Sequence, residues 1–183
     1  MSKNAIRKRL LSRRDALSAP EIASLSQEVA AQFLASAAYA AASTLALYCS
    51  IRSEVATSGI FTAAVQAGKR VLYPRTVDTT LEFIAVETLA ALKASRFGIC
   101  EPRSGVAVPL AKIDLIVLPG VAFDEKGVRL GYGLGCYDRA LAVIGRPTLV
   151  GLAYDFQVLA ALPREEHDIP VDMVVTERKI LSM

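Results

Sequence analysis

The residues best suited to chemistry lie close together: Arg129-Leu130-Gly131-Tyr132-Gly133-Leu134-Gly135-Cys136-Tyr137-Asp138-Arg139. The run follows a buried apolar stretch and leads into a helical one. Three glycines at alternate positions free the backbone to take positive φ and to approach a ligand closely. Unpaired N–H groups at the start of a helix, with the positive end of its dipole, favour an anion such as phosphate. Arg129 and Arg139 add positive charge, and a guanidinium can bond two phosphate oxygens at once. Alternating glycines by themselves fit a packing turn equally well. The loop has neither the G-x-x-x-x-G-K-[ST] spacing of a P-loop nor the G-x-G-x-x-G of a dinucleotide fold, so a nucleotide site here is of another kind.

The elements that must position this loop read as an α/β domain. Residues 2 to 16 form a basic helix with Ile6, Leu10 and Leu17 on one stripe. Ser18-Ala-Pro-Glu21 is a helix start of the capping-box type, and the helix runs to about Ala37. Thr44 to Cys49 is a strand, and Glu54 to Ala67 is a helix closed by Gly68. Arg70 to Tyr73 is a strand ended by Pro74, and Leu81 to Val86 is another. Ile113 to Leu118 is a buried strand terminated by Pro119 and Gly120. Leu134 to Ile144 is helical up to Gly145. A strand over Pro147 to Ala153, a short helix over Asp155 to Leu162 and a last strand over Val171 to Thr176 complete the chain. Strands alternating with helices predict a layered, open sheet, mainly parallel and flanked by helices, in one domain over residues 1–183. The connection from Pro119 to Gly133 is long for a compact domain, and loops of that length are often functional.

Composition narrows the function. The chain of 183 residues is 53% hydrophobic and 21% charged, with a net charge of +3, too small an excess to argue for nucleic acid. The basic residues cluster at the start: Lys3, Arg7, Lys8, Arg9, Arg13 and Arg14 all precede Asp15, the first acid. Such a segment fits a targeting peptide, a solvated helix face or an anion-binding arm. Its direct run into the capped second helix argues against the first. Cys49, Cys100 and Cys136 are scattered and odd in number, which fits a reducing compartment better than a disulfide framework or a metal cluster. The Ala-rich stretch from Ala30 to Tyr48 carries polar residues and breaks into helix and strand, so no membrane span is expected. A cytoplasmic protein is.

The run Leu-Pro-Gly-Val-Ala-Phe-Asp over residues 118–124, then Gly127, then Arg129 to Arg139, resembles the signature of the 5-formyltetrahydrofolate cyclo-ligase (methenyltetrahydrofolate synthetase) family. The likeness extends to Lys3, Arg7 and Arg14, to Glu54-Val-Ala-Thr57, and to the stretch Leu162 to Asp172. It implies an enzyme that converts 5-formyltetrahydrofolate, ATP and Mg2+ to 5,10-methenyltetrahydrofolate, ADP and phosphate. ATP would phosphorylate the formyl oxygen, and the bridge nitrogen would then close the ring. Such phosphoryl transfer needs positioning and charge more than a protein nucleophile.

The resemblance implies ATP contacts at Lys3, Arg7 and Arg14 and along Arg129, Leu130, Gly131, Tyr132, Gly133, Leu134, Gly135, Cys136 and Tyr137. It implies folate contacts at Cys49, Glu54, Tyr132, Gly133, Leu134, Gly135 and Cys136, with Arg129 and Tyr137 in catalysis. Asp138 and Asp172 are the expected magnesium carboxylates. Cys136 departs from the family, which commonly has an aromatic residue there; a thiol cannot stack. His167 receives no role, and Arg75 is either an anion contact or a surface arginine. A monomer acting on small molecules, with no nucleic-acid or membrane partner, is expected. A non-catalytic metabolite-binding domain on a similar scaffold is the alternative; it would not need the N-terminal basic residues.

Overall fold

A computed structural model describes residues 1–95, 98–142 and 146–183. Helix α1 (Lys3–Asp15) is followed by α2 (Ala19–Leu34) and a short α3 (Ala37–Ala41). Strand β1 (Thr44–Ala46), helix α4 (Ser58–Gln66) and strands β2 (Arg70–Val77) and β3 (Thr80–Ala85) come next. A two-stranded ribbon, β4 (Leu92–Ala94) with β5 (Cys100–Pro102), precedes β6 (Leu115–Leu118), β7 (Ala122–Asp124) and β8 (Arg129–Leu130). Helix α5 (Cys136–Leu141), β9 (Thr148–Leu152), β10 (Val158–Leu159), β11 (Met173–Val175) and β12 (Ile180–Ser182) finish the chain.

The main sheet has the order β12-β11-β9-β6-β1-β2-β3, parallel from β11 to β2 with an antiparallel strand at each edge. All four residues of β6 are buried, the mark of a central parallel strand covered on both faces. The open, mainly parallel α/β architecture expected from the alternation of elements is thus the one observed. Ser18 and Glu21 form the expected capping box: Ser18 Oγ accepts from the Glu21 N–H, and Glu21 Oε2 accepts from the Ser18 N–H at 2.8 Å.

Several boundaries differ from the sequence reading, for local reasons. α2 stops at Leu34 because Ser36 donates to Phe33 O at 2.6 Å and caps a new helix by accepting from the Tyr39 N–H. The helix expected from Glu54 begins at Ser58; Glu54 instead closes the preceding turn through its carboxylate. Pro74 does not end β2: β1 pairs with it only as far as Leu72, so beyond that point the proline's missing N–H costs no bond to β1. β1 itself ends at Ala46, although the Leu47 N–H still bonds Leu72 O at 2.9 Å. The expected helix over Asp155 to Leu162 is a single 3-10 turn, Asp155–Gln157, because the Gln157 amide donates to Gly120 O and Val121 O and lays β10 against β7. α5 starts two residues later than expected, after Gly135 in the left-handed region; its expected end at residues 144–145 lies outside the described residues. The expected last strand shortens to β11 and gains an antiparallel partner, β12.

The long connection after β6 is not structureless. β7, β8 and β10 form a second, three-stranded sheet, turned by Asp124, whose Oδ1 accepts the Lys126 and Val128 N–H groups. The two sheets meet at the buried Phe123 ring, which lies over Gly120 and Gly151. A Cβ on Gly151 would fall 2.3 Å from the Phe123 ring. Gly151→Ala is therefore expected to destabilise the fold by roughly 1–3 kcal/mol through overpacking, seen as a lower urea midpoint at unchanged slope.

Candidate active site

A cleft of about 990 Å³ opens where the parallel strands end. Ligands of open α/β sheets bind at that edge. Tyr48 and Cys49 beyond β1, Pro74 and Thr76 in β2, and Pro119 beyond β6 line its sheet side. The glycine loop, the start of α5 and the first turns of α1 form the other walls.

β8 delivers Arg129 into this wall. Its guanidinium NH2 donates to both carboxylate oxygens of Asp138, at 3.0 and 2.9 Å, with the side chain only 6% exposed. The guanidinium also sits 5.7 Å from the Tyr137 ring centre, and its buried Nε has no partner among the described residues. A Cβ on Gly131 would come within 2.9 Å of the Arg129 NH1, so glycine is what lets the arginine pack against the loop. Gly133 (φ +110°) and Gly135 (φ +65°) take backbone conformations that L side chains rarely adopt. Arg139 braces the loop rather than reaching into it: its NH2 donates to Leu134 O at 2.7 Å and its Nε to Thr79 O at 2.8 Å. Burial pushes the Tyr137 phenol well above its ordinary pKa. At neutral pH that phenol can donate a hydrogen bond but cannot act as a base.

Helix α1 closes the cleft. Ile6 and Leu10 pack with Val121, Ala122, Val128 and Leu130 of the smaller sheet, which presents the basic face of the helix to the loop. Arg7 Nε donates to Gly131 O at 2.8 Å, and its guanidinium carbon lies 3.8 Å from where a Gly133 Cβ would be. Lys3 donates to Asp168 at 2.8 Å, with Glu165 at 3.3 Å. Burial works against the Lys3 charge, but the two carboxylates outweigh it and hold the ammonium pKa above its usual value.

The far end of the cleft is built differently. Glu54 is buried; its Oε2 accepts from the Ile51 N–H at 2.9 Å and its Oε1 from the Tyr132 hydroxyl at 3.0 Å. Burial raises its pKa, opposed by the Ile51 N–H, Arg14 and the Tyr132 hydroxyl. The Cys49 thiol is likewise raised, by burial and then by the neighbouring Cys100.

The structure thus gathers Lys3, Arg7, Cys49, Glu54, Asp138 and the whole run Arg129–Tyr137 around one cleft. It leaves out two of the sequence-predicted residues. Arg14 is 1% exposed and is no part of the cleft wall. Asp172 lies at the amino ends of β9 and β11, where both its oxygens are held by Arg146 at 2.6 and 2.9 Å and the Leu149 N–H adds a third bond. The structure therefore does not bring Asp138 and Asp172, the expected magnesium carboxylates, together in the cleft. Arg75 pairs with Glu82 at 2.8 Å, and His167 is exposed beside Glu165. Asp168, Ser53 and Thr79 escaped sequence reasoning. Asp168 could have been sought as the counter-charge to a basic helix; Ser53 and Thr79 carry no sequence signal of their role. Arg14 did leave a signal: it continues the Ile6–Leu10 stripe at a spacing of four.

Sheet topology, cleft and loop, compared with known proteins, place the chain among the ATP-dependent ligases of folate one-carbon metabolism. A sequence profile of the 5-formyltetrahydrofolate cyclo-ligase family matches residues 1–177, and the chain belongs to that family. It is 35% identical over 176 residues to the 5-formyltetrahydrofolate cyclo-ligase of Escherichia coli (strain K12), covering 92% of this chain and 96% of that one. The Mus musculus cyclo-ligase is 30% identical, with 96% and 94% covered. The NMR structure of Aquifex aeolicus 5,10-methenyltetrahydrofolate synthetase superposes with a TM-score of 0.89 at 38% identity, covering 100% of this chain and 93% of that one. The synthetase from Mycoplasma pneumoniae gives 0.80 at 28% identity, with 97% and 99% covered. The activity is that of a 5-formyltetrahydrofolate cyclo-ligase. No helix among the described residues is long and apolar enough to cross a membrane.

Proposed function

We propose that the cleft binds ATP between α1 and the glycine loop, and the folate ring system toward Glu54. The observation that carries this reading is the closure of α1 over the loop: Arg7 is bonded to Gly131 O, while Arg129 keeps a buried, unpartnered Nε beside the same backbone. Lys3, Arg7 and Arg129 then converge on one anion, and the loop from Gly131 to Cys136 supplies the backbone that follows it. Cys49, Glu54 and Tyr132 face the pterin.

The chemistry starts from a formyl amide, whose oxygen is a poor leaving group. That oxygen attacks the γ-phosphorus of ATP, forming an O–P bond as the bond to the ADP oxygen breaks. The bridge nitrogen then attacks the activated formyl carbon, loses its proton, and the ring closes as phosphate departs. Arg129 stabilises charge on the transferring group. The protonated Tyr137 phenol, beneath the Arg129 guanidinium, serves as a hydrogen-bond donor or as packing, never as a base.

Magnesium would reach the site as the ATP complex, retaining phosphate oxygens and water as ligands. Asp138 fits as a carboxylate ligand from the cleft wall, though in exchange for part of the Arg129 bond; Asp172 lies outside that wall. The same reading makes residues 1–183 one domain of a cytoplasmic monomer, in keeping with three free thiols. The test is direct. Purified protein, ATP, Mg2+ and 5-formyltetrahydrofolate should generate the methenyl chromophore, and folded protein that yields no absorbance change would refute the assignment.

A further inference from the structure

Arg14 is among the largest fully buried side chains of the described residues, and a buried guanidinium needs partners. Its Nε donates to Ser53 Oγ at 3.1 Å, and Ser53 in turn donates to Asp15 Oδ1 at 2.5 Å. Its NH2 donates to the Tyr132 hydroxyl at 2.5 Å, and the guanidinium lies 5.9 Å from the Tyr132 ring centre. Three chain segments meet here: α1, the turn before α4, and the glycine loop.

The chemistry of the donors fixes the direction of this chain. Arginine has only N–H donors, so the Tyr132 oxygen must accept from it. The single phenolic proton is then left for Glu54 Oε1, 3.0 Å away. The Ile51 N–H occupies the other carboxylate oxygen. Glu54 is thereby set in one orientation in the cleft wall. Other titratable groups acting on or near Glu54 are Tyr132 of the loop, Tyr137 of α5, Tyr48 and Cys49 beyond β1, and Tyr154 beyond β9, with Asp15 one step behind Ser53. The four tyrosines and Cys49 are neutral near pH 7, and Arg14 is the cation that acts on Glu54 among the described residues.

We propose that Arg14 is a positioning residue for the folate: through the Tyr132 hydroxyl it holds the Glu54 carboxylate in one orientation, aimed to accept hydrogen bonds from the N–H groups of the pterin. This rests on the assignment of the Glu54 end of the cleft to the folate. It differs from the phosphate role that the basic N-terminal cluster suggests for Arg14, and the two separate cleanly in kinetics. Losing the guanidinium should weaken folate binding and leave ATP alone.

The test uses Arg14→Met, Arg14→Lys and Tyr132→Phe. In the ligand-free protein, NMR titration of the Glu54 side-chain carboxyl should show its pKa rising in Arg14→Met and in Tyr132→Phe. In turnover, KM for 5-formyltetrahydrofolate should rise roughly 10- to 100-fold in Arg14→Met, the loss of one charge-assisted hydrogen bond, while KM for ATP stays within about twofold. The acid limb of kcat/KM for the folate should move to higher pH. Arg14→Lys should restore that limb and only part of the KM. A rise in KM for ATP without one for the folate, or an unmoved Glu54 titration, overturns the proposal. Tyr132→Phe carries the same test if Arg14→Met does not fold. Should the wild-type protein make no methenyl product, the ligase reading fails, and the carboxyl titration still decides whether Arg14 controls Glu54.

Discussion

Arg129→Ala lowers kcat/KM for ATP by roughly 100- to 1,000-fold, the effect of removing one preorganised donor from a developing anionic charge. The rate of methenyl chromophore formation at saturating folate reads it. An arginine on a loop ordinarily adds little to a core, so its loss would be expected to spare the fold. The 6% exposure of Arg129 and its two-oxygen bond to Asp138 say otherwise. Removing one member of so enclosed a pair leaves Asp138, among the described residues, with the Ile169 N–H at 3.2 Å as its remaining bond and costs about 3 kcal/mol. The two effects can be separated. Arg129→Ala combined with Asp138→Asn removes both charges, so it should recover much of the stability and none of the activity. Normal specific activity in the folded fraction of Arg129→Ala would show that Arg129 only holds Asp138.

Gly133→Val should abolish most of the turnover while leaving the protein folded. Gly133 lies at φ +110°, a region where a β-branched residue costs about 1–3 kcal/mol, and a Cβ there would already touch the Arg7 guanidinium at 3.8 Å. Gly133 lies on the exposed rim of the cleft, so the loop can relieve the strain by shifting, and the denaturation midpoint falls little. The shift itself moves the backbone that follows the phosphates and breaks its register with Arg7. At least a 100-fold loss in kcat/KM for ATP is expected, on the order of what misplacing a substrate-positioning element costs. Gly133→Ala should fall between the two. Unchanged kcat/KM in Gly133→Val would remove the loop from the ATP site.

The legible and illegible parts divide by how far along the chain the cause lies. The capping box at Ser18 and Glu21 is written within four residues, and it forms as read. The stripe of Ile6 and Leu10 is local too, and both are buried. By contrast, apolar periodicity carries α2 three residues too far, because it does not register that Ser36 competes for backbone bonds. Pro74 has the local look of a strand end because the limit of β1 pairing at Leu72 depends on a neighbour some 25 residues earlier. The connection from Pro119 to Gly133 looked irregular because its strands are two or three residues long and pair with β10, far downstream.

By itself, the sequence determined the alternation that yields a parallel sheet, the glycine loop that follows it, and the basic helix at the start. These rest on backbone freedom, side-chain periodicity and capping, which act over a few residues. Only the tertiary structure decided which charges meet. Lys3 finds Asp168 across 165 positions, Arg14 reaches Tyr132 across 118, and Asp172 is taken by Arg146 rather than joining Asp138. A guanidinium or carboxylate looks the same in sequence whether it faces water, a ligand or a buried partner. Its role is set by desolvation and by which opposite charge the packing of the sheet brings within reach.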